Sequence, residues 1–288
     1  MIEPLTSIPV RSEGRRRWVA LGLAFLAVFI LGPRVAESGD LADVKARGRL
    51  VLLVHPTQDS PFVAANLDAM REQDLKLVEL TRPEQFKGVE IELLQGFAKS
   101  LGVGLGVRVL VEGYDALLPA LLRREGDFAA SQLSITPKRL EMVDFSAPYL
   151  SDWLAVVVRE DSKITKLSDL SGKRAAVIDG SSHLEFLRAA SPGVILSLTS
   201  FDLESLEAVE HHQADFTLIE TGAPVGGRLD SLHPHLKVAL RLQEVGTGIA
   251  VRKGSDLLEP LDKYLSALKK SGELQKILDR HGVRGAVQ

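Results

Sequence analysis

The run RLVLLVHP at 49–56 is apolar at nearly every position. A strand with one wet face alternates polar and apolar residues, so a continuous apolar run reads as a strand covered on both faces, the condition of a parallel sheet flanked by helices. The residues that follow fit this constraint. Over 90–101, Ile91, Leu94, Ala98 and Leu101 fall on one helical face and Gly102 can end the helix. RVLV at 108–111 predicts another strand. Asp115 reads as the N-cap of a helix whose apolar face is Leu117, Leu118, Leu121 and Leu122, irregular near Pro119 and ended by Gly126. FAASQLSI at 128–135 returns as a strand that runs into a polar loop.

The pattern then restarts. AAVIDG at 175–180, a helix from near Ser182, VILSLTS at 194–200, a helix near 202–211 and DFTLIE at 215–220 make a second α/β unit. GTGIAVRKG leads back toward a helical C-terminus, with Ser255 and Ser271 as caps and Gly282 as a stop. No repeat or low-complexity linker separates the units, so they are expected to share two crossings and to form a bilobed α/β molecule with a cleft.

Composition removes several functions. With 35 basic and 38 acidic residues the net charge is −3, which gives no electrostatic reason for a nucleic-acid partner. The absence of cysteine excludes disulfides, thiolate metal sites, a cysteine nucleophile and a lipid-modified cysteine. His211–His212 and the pair His233 and His235 lack a coherent metal-ligand spacing, GTG is not a dinucleotide fingerprint, and no nucleophilic triad can be assembled. No catalytic residue, metal or cofactor is assigned. At the N-terminus, Arg11, Arg15, Arg16 and Arg17 precede an apolar stretch from Trp18 to Leu31, the pattern of an export signal. Arg34 stands three residues before a cut after Ala36, where a small residue is wanted, so residues 1–40 read as a cleaved signal peptide or as a signal anchor that tethers through 18–32.

SQLSITPKRLEMVDFSAPYL at 131–150, LSDLSGKRAAVIDGSS at 167–182 and GIAVRKGS at 248–255 occur in this order. The set resembles the family 3 extracellular solute-binding proteins, and GSSHLEFL at 180–187 is similar to the solute-binding module of membrane-bound lytic transglycosylases F. The resemblance spans 44–284 and implies a type II periplasmic-binding fold, with a first lobe over 44–155, a second over 156–243 and a return to the first over 244–288. No lytic domain is expected after residue 284. The resemblance implies a bacterial periplasmic protein that binds a small carboxylated solute, such as an amino-acid derivative or a peptidoglycan-derived peptide, for an inner-membrane ABC permease. A membrane-anchored sensory or cell-wall-associated module is the alternative, and an enzyme like cyclohexadienyl dehydratase a weaker one.

The resemblance also nominates residues. Arg139 matches an arginine that clamps a ligand carboxylate, a task for which a planar guanidinium suits better than lysine. Ser134 matches a frequent threonine ligand position, with a turn-bracing hydroxyl as the other reading, and Thr136 is expected to cap the loop. Ser181 and Ser182 offer hydroxyls at a helix start, for a ligand or for the helix itself. His183 stands beside them, open to ligand or partner contact or to a plain structural role. Glu220 matches the aspartate that takes a ligand ammonium, or serves in a hinge or lobe salt bridge. Two departures bear on specificity: Gln132 replaces a common glycine, and GVEIEL at 88–93 puts Val89 and Glu90 where an aromatic segment is usual. Phe62 is a candidate stacking face, or a core residue.

Overall fold

The computed structural model describes residues 40–55, 60–65, 83–110, 112–222 and 229–284. The N-terminal segment read as signal or anchor thus lies outside the described residues up to position 39, and Asp40 opens the first helix, α1 (Asp40–Arg47). Acidic residues in its first turn and basic ones in its last suit the helix dipole. Asp40 ties it to the body through Arg252 at 2.8 Å and Arg124 at 3.1 Å. Among the described residues, no helix is long and apolar enough to cross a membrane.

The first lobe is built on β1 (Arg49–Val54), buried from its second residue onward. A short pair, β2 (Ala64–Ala65) and β3 (Phe86–Lys87), precedes α2 (Val89–Ser100). Then come β4 (Gly104–Val109), α3 (Leu117–Leu122), β5 (Phe128–Ala129), α4 (Pro137–Met142) and β6 (Val143–Phe145). β4 begins earlier than RVLV suggests, because Gly104 and Gly106 dilute an otherwise apolar strand. Asp115 does not cap α3: it sits inside a 3₁₀ turn, Tyr114–Ala116, and Leu122 is exposed. β1 lies between β4 and β5, parallel to both.

β7 (Leu150–Arg159) opens the second sheet, followed by β8 (Arg174–Ile178), α5 (Ser182–Ala190), β9 (Ile195–Thr199), α6 (Asp202–Glu210), β10 (Phe216–Glu220), α7 (Leu229–Leu232) and β11 (Leu236–Thr247). The chain returns to the first sheet as β12 (Ala250–Arg252) and ends in α8 (Leu258–Ser271) and α9 (Glu273–Arg280). Gly272, at φ 75°, joins these helices, and Gly282, at φ 69°, follows the last. Ser255 and Ser271 are not the N-caps, which are Leu257 and Gly272. The sheet orders are β4-β1-β5-β12-β6 and β11-β7-β10-β8-β9. Both are mixed: β12 runs antiparallel to β5 and β6, and β7 antiparallel to β10 and β11.

Each sheet has helices on both faces. In the first, Phe62, Phe97 and Phe128 pack with Leu261 and Ile277 on one side, while Leu53, Leu117 and Val143 pack on the other. In the second, Val156, Val158, Leu184 and Phe216 face one way, and Val157, Leu206, Val209 and Ile219 the other. The period-two alternation puts successive residues of one strand into opposite cores. The boundaries expected near 155/156 and 243/244 fall inside β7 and β11, which pair from Leu150 with Thr247 to Arg159 with Leu236. This two-stranded ribbon carries both crossings, and the cleft lies between the loops at the ends of the two sheets.

Candidate functional site

Six of the seven residues nominated for the ligand, all but Phe62, line one cavity of about 40 Å³. From the first lobe come Tyr114, Ser131, Gln132, Leu133, Ser134 and Arg139; from the second, Ile178, Ser181, Ser182, His183, Asp202 and Glu220. The loop after β5, the short helix α4 and the turn at Tyr114 deliver the first set; the ends of β8 and β10 and the N-termini of α5 and α6 deliver the second.

Arg139 is aimed by its short helix. Thr136 caps that helix by accepting from the Arg139 N–H at 3.3 Å, and Pro137 supplies the first turn. The side chain is 8% exposed and donates Nη1–H to the Ser134 carbonyl at 2.9 Å. Among the described residues it makes no ion pair. Burial pulls its pKa below the ordinary value, against the field of Glu185, Glu220 and Asp115, and a guanidinium stays charged throughout. A buried cation without a carboxylate partner, at a cavity wall, is suited to an anion.

Glu220 collects bonds from both lobes. Gln132 Nε2 donates to its Oε2 at 2.5 Å, Ser134 Oγ donates to its Oε1 at 2.9 Å, and His183 Nε2 stands 3.8 Å from Oε1, an ion-pair distance beyond hydrogen-bond reach. Burial pushes its carboxyl up, but His183, Ser134 and Gln132 outweigh this and hold it below the usual range. Burial pushes His183 down and Glu220 more than restores it, so its pKa lies above the ordinary value. The two charges favour each other.

Ser134 Oγ also meets Ser182 Oγ across the cleft at 3.0 Å. The capping hydroxyl belongs to Ser181, which accepts from Leu184 N–H at 3.2 Å and donates to the Ile178 carbonyl at 2.7 Å; Ser182 is free of that task. Phe62 departs from the stacking expectation: its side chain is fully buried in the first-lobe core, away from the cavity lining.

Three residues escaped the sequence reading. Tyr114 lines the cavity from a turn, its hydroxyl pushed up by burial and by Asp202. Asp202 opens α6, where an acid reads as ordinary helix-dipole chemistry; its carboxyl is pushed up by burial, with His183 opposing. Glu90, noted only as a departure from a family pattern, is fully buried and raised to about 7 by desolvation, despite bonds from Tyr149 Oη at 2.9 Å and from Gln132 N–H at 3.1 Å to each carboxylate oxygen. Gln132 has φ 54°, a conformation glycine adopts freely, and Glu90 holds it there.

A second cavity of about 300 Å³ shares Tyr114 and Ile178 with the first and is lined by His55, Glu112, Asp115, Asp179 and Phe201. Among the described residues no group of three or more His, Asp or Glu is placed to hold a metal ion.

The chain is 27% identical over 92% of its length to a membrane-bound lytic murein transglycosylase F from Desulfosudis oleivorans, of which it covers 54%. It is 28% identical over 71% of its length to the arginine-binding extracellular protein ArtP of Bacillus subtilis, covering 81% of that protein. The chain therefore spans about half the length of its transglycosylase relatives. Among solved structures, the amino acid ABC transporter substrate-binding protein AbpA from Streptococcus pneumoniae, bound to L-arginine, matches with a TM-score of 0.68 at 25% identity, over 83% of this chain and 97% of that one. The model of the bacterial extracellular solute-binding proteins, family 3, matches residues 72–284, and the chain belongs to that family.

Proposed function

We propose that the chain binds a small carboxylated solute between its lobes, with Arg139 holding the carboxylate, in the bacterial periplasm. The observation that carries this reading is the buried guanidinium at the cavity wall, which makes no ion pair among the described residues. Ser134, Ser182 and Gln132 supply neutral hydrogen-bonding groups, and Glu220 with His183 supplies the polar wall opposite. A cleft closed by rotation about the β7–β11 ribbon makes occupancy readable by a membrane partner. Delivery to an inner-membrane ABC permease is supported by similarity to proteins named as arginine-binding components of such transporters. A cell-wall-associated module that reports a peptidoglycan-derived peptide is the second reading, favoured by the transglycosylase relatives. The apolar segment 18–32 is the proposed tether in that case, and a signal peptide in the first.

The test is Arg139→Ala, titrated calorimetrically against carboxylates that stabilise the wild-type chain. Losing a charge-assisted contact worth ~1.5–3 kcal/mol weakens binding roughly 10–100-fold. The variant should keep its fold without ligand, because among the described residues the substitution breaks no ion pair and only the bond to the Ser134 carbonyl is lost. Equal affinity in the two proteins would remove Arg139 from the site. Mass spectrometry of each mixture separates binding from turnover, and accumulation of a product would establish an enzyme instead.

A further inference from the structure

The wall opposite Arg139 is already occupied by the protein itself. Glu220 Oε2 is taken by the Gln132 carboxamide at 2.5 Å and Oε1 by Ser134 Oγ at 2.9 Å, while His183 Nε2 stands 3.8 Å from Oε1. Each oxygen of this carboxylate already accepts a hydrogen bond from the protein, so a ligand cation would have to compete with the Gln132 amide and the Ser134 hydroxyl. The amide orientation follows from chemistry, because a carboxylate can only accept and so must face the NH₂ end. Gln132 is also fixed behind: its N–H lies 3.1 Å from each oxygen of Glu90, which is fully buried and accepts from Tyr149. Its φ of 54° is a conformation in which a side chain is a burden, yet a long one is present and aimed across the cleft.

We propose that Gln132 is a specificity-determining residue whose carboxamide fills the cation position beside Glu220, so that the solute is a carboxylic acid with a neutral α-substituent. Such acids are 2-hydroxy acids, 2-oxo acids and acids whose α-nitrogen is acylated, as at the C-terminus of a peptide. This rests on the reading of Arg139 as the carboxylate clamp. A free α-amino acid would have to displace the Gln132 amide and strand it without an acceptor, beside an imidazole that already stands 3.8 Å from the same carboxylate. An α-hydroxyl, carbonyl or acylated nitrogen carries no such charge and can bond to Ser134, Ser182 or the amide itself.

The experiment is calorimetric titration of the purified full chain with matched probes: alanine, lactate, pyruvate and N-acetylalanine, and likewise glutamate and arginine with their 2-hydroxy, 2-oxo and N-acetyl counterparts. Gln132→Gly, which suits the backbone conformation, and Gln132→Asn, which tolerates it but is too short to reach Glu220, are titrated alongside. In the wild type an α-neutral member of at least one set should bind at least tenfold more tightly than its α-amino member, and both variants should narrow or invert that ratio by tenfold or more. Three results overturn the proposal: an α-amino acid preferred by the wild type, no α-neutral acid bound, or the same ratio in the variants. Arg139→Ala tests the underlying reading separately. If it binds every probe as the wild type does, the clamp is wrong, whereas a loss shared by all probes with no Gln132 effect overturns only the specificity.

Discussion

Glu90 shows how a single residue can hold a cleft without entering it. Its carboxyl sits beneath the Gln132 backbone, and desolvation raises it to about 7. A carboxyl raised in the folded state contributes stability that is present in full below the unfolded value of 4.5 and is lost as pH rises through about 7. Between pH 5 and pH 8 this amounts to about 2–3 kcal/mol, at 1.36 kcal/mol per unit. Glu90→Gln should therefore flatten the fall in stability over that interval, as measured by urea unfolding at both pH values; parallel losses in the two proteins would remove Glu90 from the account. The sequence made the cleft's polar residues legible through the resemblance: Gln132, Ser134, Arg139, Ser182 and Glu220 all reach one cavity. Glu90 was not legible as a buried acid, because an acid in the first turn of a helix is usually a solvated partner of the dipole. Phe62 stayed open between two readings for the converse reason: an aromatic after a proline carries no mark that separates a stacking face from a core residue.

At the level of elements, the helix that carries Glu90 is set by a close approach. Val89 N–H donates to the Pro61 carbonyl at 2.8 Å and Glu90 N–H to the Phe62 carbonyl at 3.1 Å, so the start of α2 is capped by another segment's backbone. Gly88, at φ 131°, permits this, since a Cβ there would lie 2.2 Å from the Phe62 carbonyl oxygen. Gly88→Ala should lose at least ~2 kcal/mol in denaturant unfolding, because neither backbone can give way and the left-handed conformation adds strain. Gly113→Ala has a similar φ, 111°, and open space around its Cβ, so it isolates the strain alone. Equal losses in the two would show that the close approach costs nothing. The continuous apolar run predicted β1 well, since a strand covered on both faces leaves a plain pattern, and AAVIDG and DFTLIE located β8 and β10. The long β11 was missed although Leu236, Val238, Leu240 and Leu242 alternate along it. Its exposed edge position leaves charged residues between them, and the segment follows a loop with few strand-like residues.

Across the whole molecule, the β7–β11 ribbon joins the two lobes, and among the described residues they meet again through side chains and loops at the cleft and through the Arg284 N–H, which donates to the Gly222 carbonyl at 3.0 Å. Gln132 and Ser134 reach Glu220 from the opposite lobe, and Lys138 meets Glu185 at 2.6 Å on the surface, where screening leaves such a pair little weight. Asp115 of the first lobe lies directly against Gly180 of the second, where a Cβ would stand 2.4 Å from Asp115 Oδ1 and 3.1 Å from its backbone nitrogen. Gly180→Ala therefore places a methyl group in the closing surface. Gly180 has φ 69°, so the substitution also strains the backbone; Gly172→Ala, at φ 74° with open surroundings, carries the same strain within the same lobe and no obstruction. If closure is what makes the cavity, a penalty of ~1.4 kcal/mol on the closed state alone weakens solute binding about tenfold. Gly180→Ala should show that loss together with a larger radius of gyration in small-angle scattering, while Gly172→Ala keeps wild-type values in both. The same affinity and radius in the two variants would mean that the solute is held without the lobes meeting at Asp115. The polar groups facing Arg139 across the cleft would then have to be assigned to one lobe at a time.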